Sequence, residues 1–294
     1  MPRDRILYSS PFIPAEWIAA HGFQPYRLFP ASHAGAFPSG TNEGLCPYAK
    51  AFVEEAAVTQ SSGPSAMGAA VIFATTCDQM RRASEGTPPA PEQLAAVMRA
   101  YDDARAALRD ARPAMRARAA AEALVALHQE GPATSVPRRD GAAPAARDGP
   151  RLALLGGPVF RDHYNLYDEL EAAGVRVVLD ATETGERTLP ALFERARLQR
   201  DPFGELARAY FEHIPDVFRR PNTLLYEWLD RELAARGVQG ILLLRCVWCD
   251  LWHAEAPRVK ERFHLPVAEM DPSGTAAVGP GKESRLQALL EIFT

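Results

Sequence analysis

Gly237-Val238-Gln239-Gly240-Ile241-Leu242-Leu243-Leu244-Arg245-Cys246-Val247-Trp248-Cys249 is a glycine-bounded turn, an unbroken apolar run and then a CxxC pair. Four consecutive large aliphatic residues suit a short strand buried on both faces, as in a parallel sheet covered by helices. Such a strand delivers Cys246 and Cys249 to its carboxyl end, and in open α/β sheets the crevice beyond those ends is where ligands bind.

Reading outward, the segments around this strand follow the same rhythm of strand, turn and helix. Arg151–Leu155 is a second apolar strand, followed by the Gly156-Gly157-Pro158 turn and a helix over Tyr164–Ala173 that Gly174 ends. Val175–Leu179 is the next strand, and Pro190–Arg236 is mostly helical. Pro257–Phe263 reads as a helix with proline at its start, Leu265–Glu269 as a strand, and Ser284–Phe293 as a closing amphipathic helix. Towards the N-terminus, Ile6–Ser9, Tyr26–Phe29 and Val71–Thr75 are strand candidates, with helices over Pro14–His21 and from Pro47 to about Val58. Pro91–Glu130 has helical periodicity with a break near Pro113, and Gly131–Pro150 is rich in Pro, Gly, Ala and Arg without an apolar period.

The fold class is therefore α/β: two open, doubly wound units of Rossmann or flavodoxin type with parallel sheets, joined by a helical segment. The expected division is an N-terminal α/β domain with helical connector over residues 1–130, a flexible linker over 131–150, and a C-terminal α/β domain over 151–294. A chain of 294 residues has room for two such cores.

A net charge of -4, with basic residues scattered rather than striped, gives no long-range attraction to nucleic acid or to an anionic membrane. No apolar run approaches the roughly 18 to 20 residues that a membrane helix requires. Met1–Arg5 carries Arg3, Arg5 and Pro2 and lacks a signal-peptide h-region, so the expected location is the cytoplasm. In that reducing compartment the four cysteines read as thiols, ligands or redox groups rather than as structural disulfides.

Cys77 and the Cys246/Cys249 pair each follow an apolar strand, while Cys46 opens a helix, where the positive dipole end stabilises a thiolate. Soft thiolates select Zn, Cu(I) or iron-sulfur clusters, and spacing alone does not choose among them. Buried cysteines also serve as small hydrophobes. A zinc or dithiol protein built on Cys246 and Cys249 is a competing account, although zinc ribbons use a second close pair and Cys46 and Cys77 are far apart.

Several segments together resemble the family of 2-hydroxyacyl-CoA dehydratase and benzoyl-CoA reductase subunits. They are Gly44-Leu45-Cys46-Pro47-Tyr48, Ala74-Thr75-Thr76-Cys77-Asp78-Gln79-Met80-Arg81-Arg82, Gly156-Gly157-Pro158, Val247-Trp248-Cys249-Asp250 with Glu255-Ala256-Pro257, Pro266–Asp271 and Glu283–Ala288. The resemblance implies a 4Fe-4S cluster held by Cys46, Cys77 and Cys249 between two α/β domains, with Cys246 outside the pattern. Three thiolates on four irons would leave one iron open. It further implies an acyl-CoA substrate, a partner subunit that is a paralogue or an identical chain, and an ATP-dependent iron-sulfur activator. In such enzymes a low-potential electron drives dehydration of a 2-hydroxyacyl-CoA or reduction of an aromatic acyl-CoA. Catalytic subunits of the family are usually longer, and the shortening falls at Gly131–Pro150; an electron-transfer or maturation protein of the same fold is therefore the alternative.

Other residues have a structural account beside a functional one. Asp78 and Asp250 follow proposed ligands and suit either orientation of the site or turn capping. Arg81 and Arg82 suit a cluster's charge, CoA phosphates or a solvated helix start. His163, His253 and Glu255 read as surface or hydrogen-bonded groups, and Trp248 and Trp252 either as a water shield or as core. Gly156-Gly157 lacks the spacing of a phosphate loop, and no Ser-His-Asp order or GxSxG elbow is present.

Overall fold

The computed structural model describes residues 4–31, 47–61, 70–72, 89–133, 149–246, 249–271, 287 and 291. Among them two parallel sheets form. In the first, β1 (Arg5–Tyr8), β2 (Gln24–Arg27) and β3 (Ala70–Ile72) lie in the order β2-β1-β3. In the second, β4 (Arg151–Gly156), β5 (Arg176–Thr182), β6 (Gly240–Leu244) and β7 (Val267–Met270) lie in the order β5-β4-β6-β7. Each sheet winds one way from its first strand and then the other, which places a topological switch point between β1 and β3 and another between β4 and β6.

The expected strands are recovered with ends that coincide or shift by up to three residues, Phe73–Thr75 of one of them lying outside the described residues, and the apolar run Ile241–Leu244 is the buried centre of β6. Helix α1 (Ala15–Ala20) ends before Gly22, whose φ of 87° turns the chain into β2. The long helical stretch is α3 (Pro91–Ala111), a 3-10 turn over Arg112–Ala114 and α4 (Ala117–Gln129); Pro113 sits in that turn, as its missing N-H requires. Helix α2 spans Pro47–Ser61 and α5 spans Asn165–Ala172. The Pro190–Arg236 stretch contains α6 (Arg195–Arg200), α7 (Pro202–Ala207), a π-helical turn at Arg208–Glu212 and α8 (Thr223–Ala235).

The helix expected to start at Pro257 instead starts at Asp250, so Pro257 lies inside α9 (Asp250–Phe263). Tertiary bonds offset the lost backbone bond. Glu255, fully buried in α9, accepts from the Tyr226 hydroxyl at 2.6 Å, Asn222 Nδ2 at 2.6 Å, Arg220 Nη1 at 3.1 Å and Arg258 Nη1 at 3.0 Å. Burial favours the neutral acid, but these donors overcome it and hold the carboxyl below its ordinary range. Of the two readings of Glu255, surface or hydrogen-bonded, the second holds: it is buried and fastens α9 to α8.

One helix serves the cores of both sheets. Ala117 and Ala121 of α4 pack in the core of the second sheet, whereas Leu124 and Leu127 of the same helix pack with Tyr8 and Ile13 of the first. Phe193, Leu198 and Leu206 in turn pack on Leu94 and Met98 of α3. Below them Glu16, fully buried, accepts from Arg105 and from the Tyr210 hydroxyl at 2.6 Å. The boundary expected at 131–150 lies largely outside the described residues, as does the closing helix over Ser284–Phe293 apart from Gln287 and Glu291. No helix among the described residues is long and apolar enough to cross a membrane.

His128, near the end of α4, makes one prediction possible. Its Nδ1 is enclosed without a hydrogen-bond partner, and burial together with Arg27 and Arg105 pushes its pKa well below 6.5. The unfolded chain takes up this proton near pH 6.5 while the folded chain does not, so stability is lost as pH falls below that value. Chemical denaturation from pH 6.5 down to pH 5.5 should show a slope shallower in His128→Gln than in the parent by up to about 1.4 kcal/mol per pH unit. Identical slopes would remove His128 from this account.

Candidate functional site

The rim of the second sheet is set by a close approach at its switch point. Gly156 ends β4 with φ of 126°, and a Cβ there would lie 1.9 Å from the Leu244 carbonyl oxygen. Only glycine fits both constraints. The next amide, Gly157 N-H, donates to that same carbonyl at 2.8 Å and ties the β4 turn to the end of β6.

Two residues beyond β6 stands Cys246, and the turn that follows is closed by the Cys249 N-H donating to the Cys246 carbonyl at 2.9 Å. Cys249 is the N-cap of α9, its own carbonyl accepting from His253 N-H at 3.0 Å. Its thiol sits at a fourteen-residue helix's N-terminus, where the dipole stabilises the anion. Cys246 differs: only 4% exposed, it packs in a small apolar cluster with Ala51 and Phe160, against which Tyr48 and Cys249 also lie. Tyr48 and Ala51 belong to the first turns of α2, which starts at Pro47, the residue after Cys46. The start of α2 and the CxxC turn therefore meet.

The two rims face each other elsewhere too. Arg27, at the end of β2, donates to Ser9 O at 3.0 Å within the first unit and to Glu183 O at 3.0 Å in the second. Arg161 N-H donates to Pro30 O at 3.2 Å. Glu183 follows the last residue of β5, on the same rim as Cys246 and two strands away, on the order of 10 Å. Burial, then Asp216, raise its carboxyl above the ordinary range, only partly opposed by Arg187 and Arg27. Sequence reasoning passed over Glu183, because the strand expected over Val175–Leu179 runs on to Thr182 and only then puts an acid at its carboxyl end.

Cys46, Cys77, Asp78, Arg81, Arg82 and Trp248 lie outside the described residues. Among the described residues no group of three His, Cys, Asp or Glu side chains is placed to hold a metal ion. Asp250 is exposed in the first turn of α9, where its charge suits the helix dipole, and His253 is exposed. His163 is buried edge-on against Phe160, with ring centroids 5.7 Å apart. Trp252 is core, with the Arg187 guanidinium 5.4 Å from its ring centroid.

Against known families, the profile of the 2-hydroxyglutaryl-CoA dehydratase D-component matches residues 85–293. The chain belongs to this family. As a D-component family member it is related to a 2-hydroxyacyl-CoA dehydratase component, a lyase that works with a partner component on an acyl-CoA substrate. In this D-component homologue the matched residues include Cys246 and Cys249, whereas Cys46 and Cys77 precede them. Among curated proteins no relative matches the chain.

Proposed function

We propose that this D-component family member is the iron-sulfur subunit of a 2-hydroxyacyl-CoA dehydratase, with Cys46, Cys77 and Cys249 as the thiolates of one 4Fe-4S cluster. The observation that carries the reading is the packing of Tyr48 and Ala51, from the first turns of α2, against the Cys246–Cys249 turn. That packing brings the residue after Cys46 to the switch point of the second sheet, while β3, whose end precedes Cys77 by five residues, lies at the switch point of the first. A thiolate at a helix N-terminus beside apolar walls suits a low-potential cluster.

When bound, such a cluster supplies one-electron chemistry and a Lewis-acidic iron. The chain's own residues do the rest. Cys249 lies at the N-terminus of α9, where the helix dipole favours a thiolate, Phe160 and Tyr48 supply apolar walls, and burial raises the Glu183 carboxyl above its ordinary range on the rim. The partner is a paralogous subunit or a second copy of this chain, and an ATP-dependent activator delivers the electron. Dehydration is preferred over aromatic reduction because the matched family is a dehydratase.

Anaerobically purified protein should be brown, contain about four irons per chain, the content of one cubane, and dehydrate a 2-hydroxyacyl-CoA when partner and activator are added. A colourless, iron-free chain after anaerobic reconstitution would overturn the assignment. A loaded chain that passes electrons without turnover under those conditions would make it an electron carrier of the same fold.

A further inference from the structure

A second site lies at the opposite end of the second sheet from the cysteines. β4 and β5 begin at Arg151 and Arg176, and these side chains line a hollow of about 380 Å³ together with Arg109, Arg112 and Arg236. Glu171 is the one carboxylate among the described lining residues, and it is already engaged by the Arg116 side chain and, at 2.8 Å, by the Ala117 N-H.

Much of what aims these guanidiniums is neutral. Arg109 donates to Pro190 O at 2.8 Å, Arg112 to Val177 O at 2.9 Å, Arg151 to Gly237 O at 2.8 Å and Arg236 to Val178 O at 2.8 Å. A carbonyl fixes a guanidinium's direction without cancelling its charge. Glu186 bridges Arg112 and Arg236 from beside the hollow, and Glu232 pairs with Arg236, so among the described residues guanidiniums outnumber carboxylates there.

Arg109, Arg112 and Arg236 also line an adjoining groove of about 550 Å³, where Leu189, Leu224 and Trp228 supply apolar surface and Glu227 and Glu232 stand beside the indole with Arg231. The combined volume suits a ligand with an anionic head and a flat or apolar body. Guanidinium forks match phosphate oxygens two at a time, and an indole face accepts a planar ring. We propose that this double pocket binds a nucleotide through its polyphosphate, the phosphates in the arginine lobe and the base against Trp228. The six residues of β4 separate it by roughly 20 Å from the cysteine rim. It is therefore a distinct site, whose ligand is either a free nucleotide or the nucleotide end of a coenzyme.

Calorimetric titration of the full chain with inorganic pyrophosphate, ADP and desulfo-CoA tests this. Pyrophosphate should bind in the micromolar range, more weakly at high salt, and ADP more tightly than pyrophosphate. Arg151→Gln combined with Arg176→Gln should weaken both by about tenfold or more, one lost charge-assisted contact being worth about that much. Trp228→Ala should remove only the advantage of ADP over pyrophosphate. Competition by desulfo-CoA assigns the site to a coenzyme's nucleotide end, and its failure to compete assigns it to a free nucleotide; either keeps the shared chemistry. No pyrophosphate binding at millimolar concentration, or binding that the double variant leaves unchanged while it still folds, would overturn the proposal. Should the double variant not fold, unchanged binding in Arg151→Gln alone and no salt dependence in the parent would do so.

Discussion

Cys249→Ala should abolish cluster binding, with iron falling from about four per chain to near zero, while Cys246→Ala keeps its iron. The two thiols are three residues apart, yet their surroundings differ. Cys249 caps α9, is partly buried, and lies where the helix dipole favours the thiolate that a soft metal requires. Cys246 is 4% exposed and packed against Ala51 and Phe160 as a small apolar side chain. Removing its sulfur should cost stability of about 1–2 kcal/mol through lost packing and leave the visible absorbance unchanged. The comparison is to be made on anaerobically reconstituted proteins by iron analysis and absorbance. Equal loss of iron in both variants would mean that the CxxC pair ligates as a unit, and zinc in place of iron would favour the zinc or dithiol account.

The parallel sheets were legible because their strands announce themselves locally. Ile241–Leu244 and Leu152–Leu155 are apolar on both faces, and Gly22 and Gly174 fall where the chain needs positive φ. Connections whose partners are distant in sequence were not legible. Nothing near Pro257 reveals that Glu255 collects four donors from Arg220 to Arg258, so a proline that reads as a helix start lies in a helix interior. Nor does the sequence show that α4 serves both sheets: its heptad-like apolar stripe is wide enough for two cores, and periodicity does not say which neighbour each side meets. At the site, the CxxC turn was placed correctly at a strand's carboxyl end, but the contrast between its two sulfurs depends on Ala51, Tyr48 and Phe160, about a hundred and two hundred residues away. Glu183 and the arginine pocket escaped for the same reason, since each acquires its character from charges brought together by folding.

Arg187→Met should lower the unfolding free energy by about 3–5 kcal/mol, and the loss should extend to the cysteine rim. This guanidinium is 1% exposed and bonds to four acceptors on three separate pieces of chain. It donates to Ala181 O at 2.9 Å on β5, to Pro215 O at 2.9 Å, to Gly156 O at 3.3 Å on the rim of β4, and to the carboxylate of Asp216. It also lies over Trp252, two residues beyond the start of the helix that Cys249 caps. Methionine retains the apolar stem but leaves the Asp216 carboxyl, 2% exposed, short of its main partner. Lysine should rescue poorly, because a single ammonium cannot reach acceptors arranged around a planar fork. The origin of the cost is separable: Arg187→Met combined with Asp216→Asn removes the orphaned carboxyl while keeping an acceptor for the Phe218 N-H, now bonded at 2.9 Å. That double variant should regain part of the lost stability in urea denaturation, whereas two losses that simply add would show that the ion pair is not what Arg187 contributes. Because the Gly156 carbonyl and Trp252 flank the switch point from two sides, the single variant should also retain less iron after reconstitution than its residual folded fraction alone would allow.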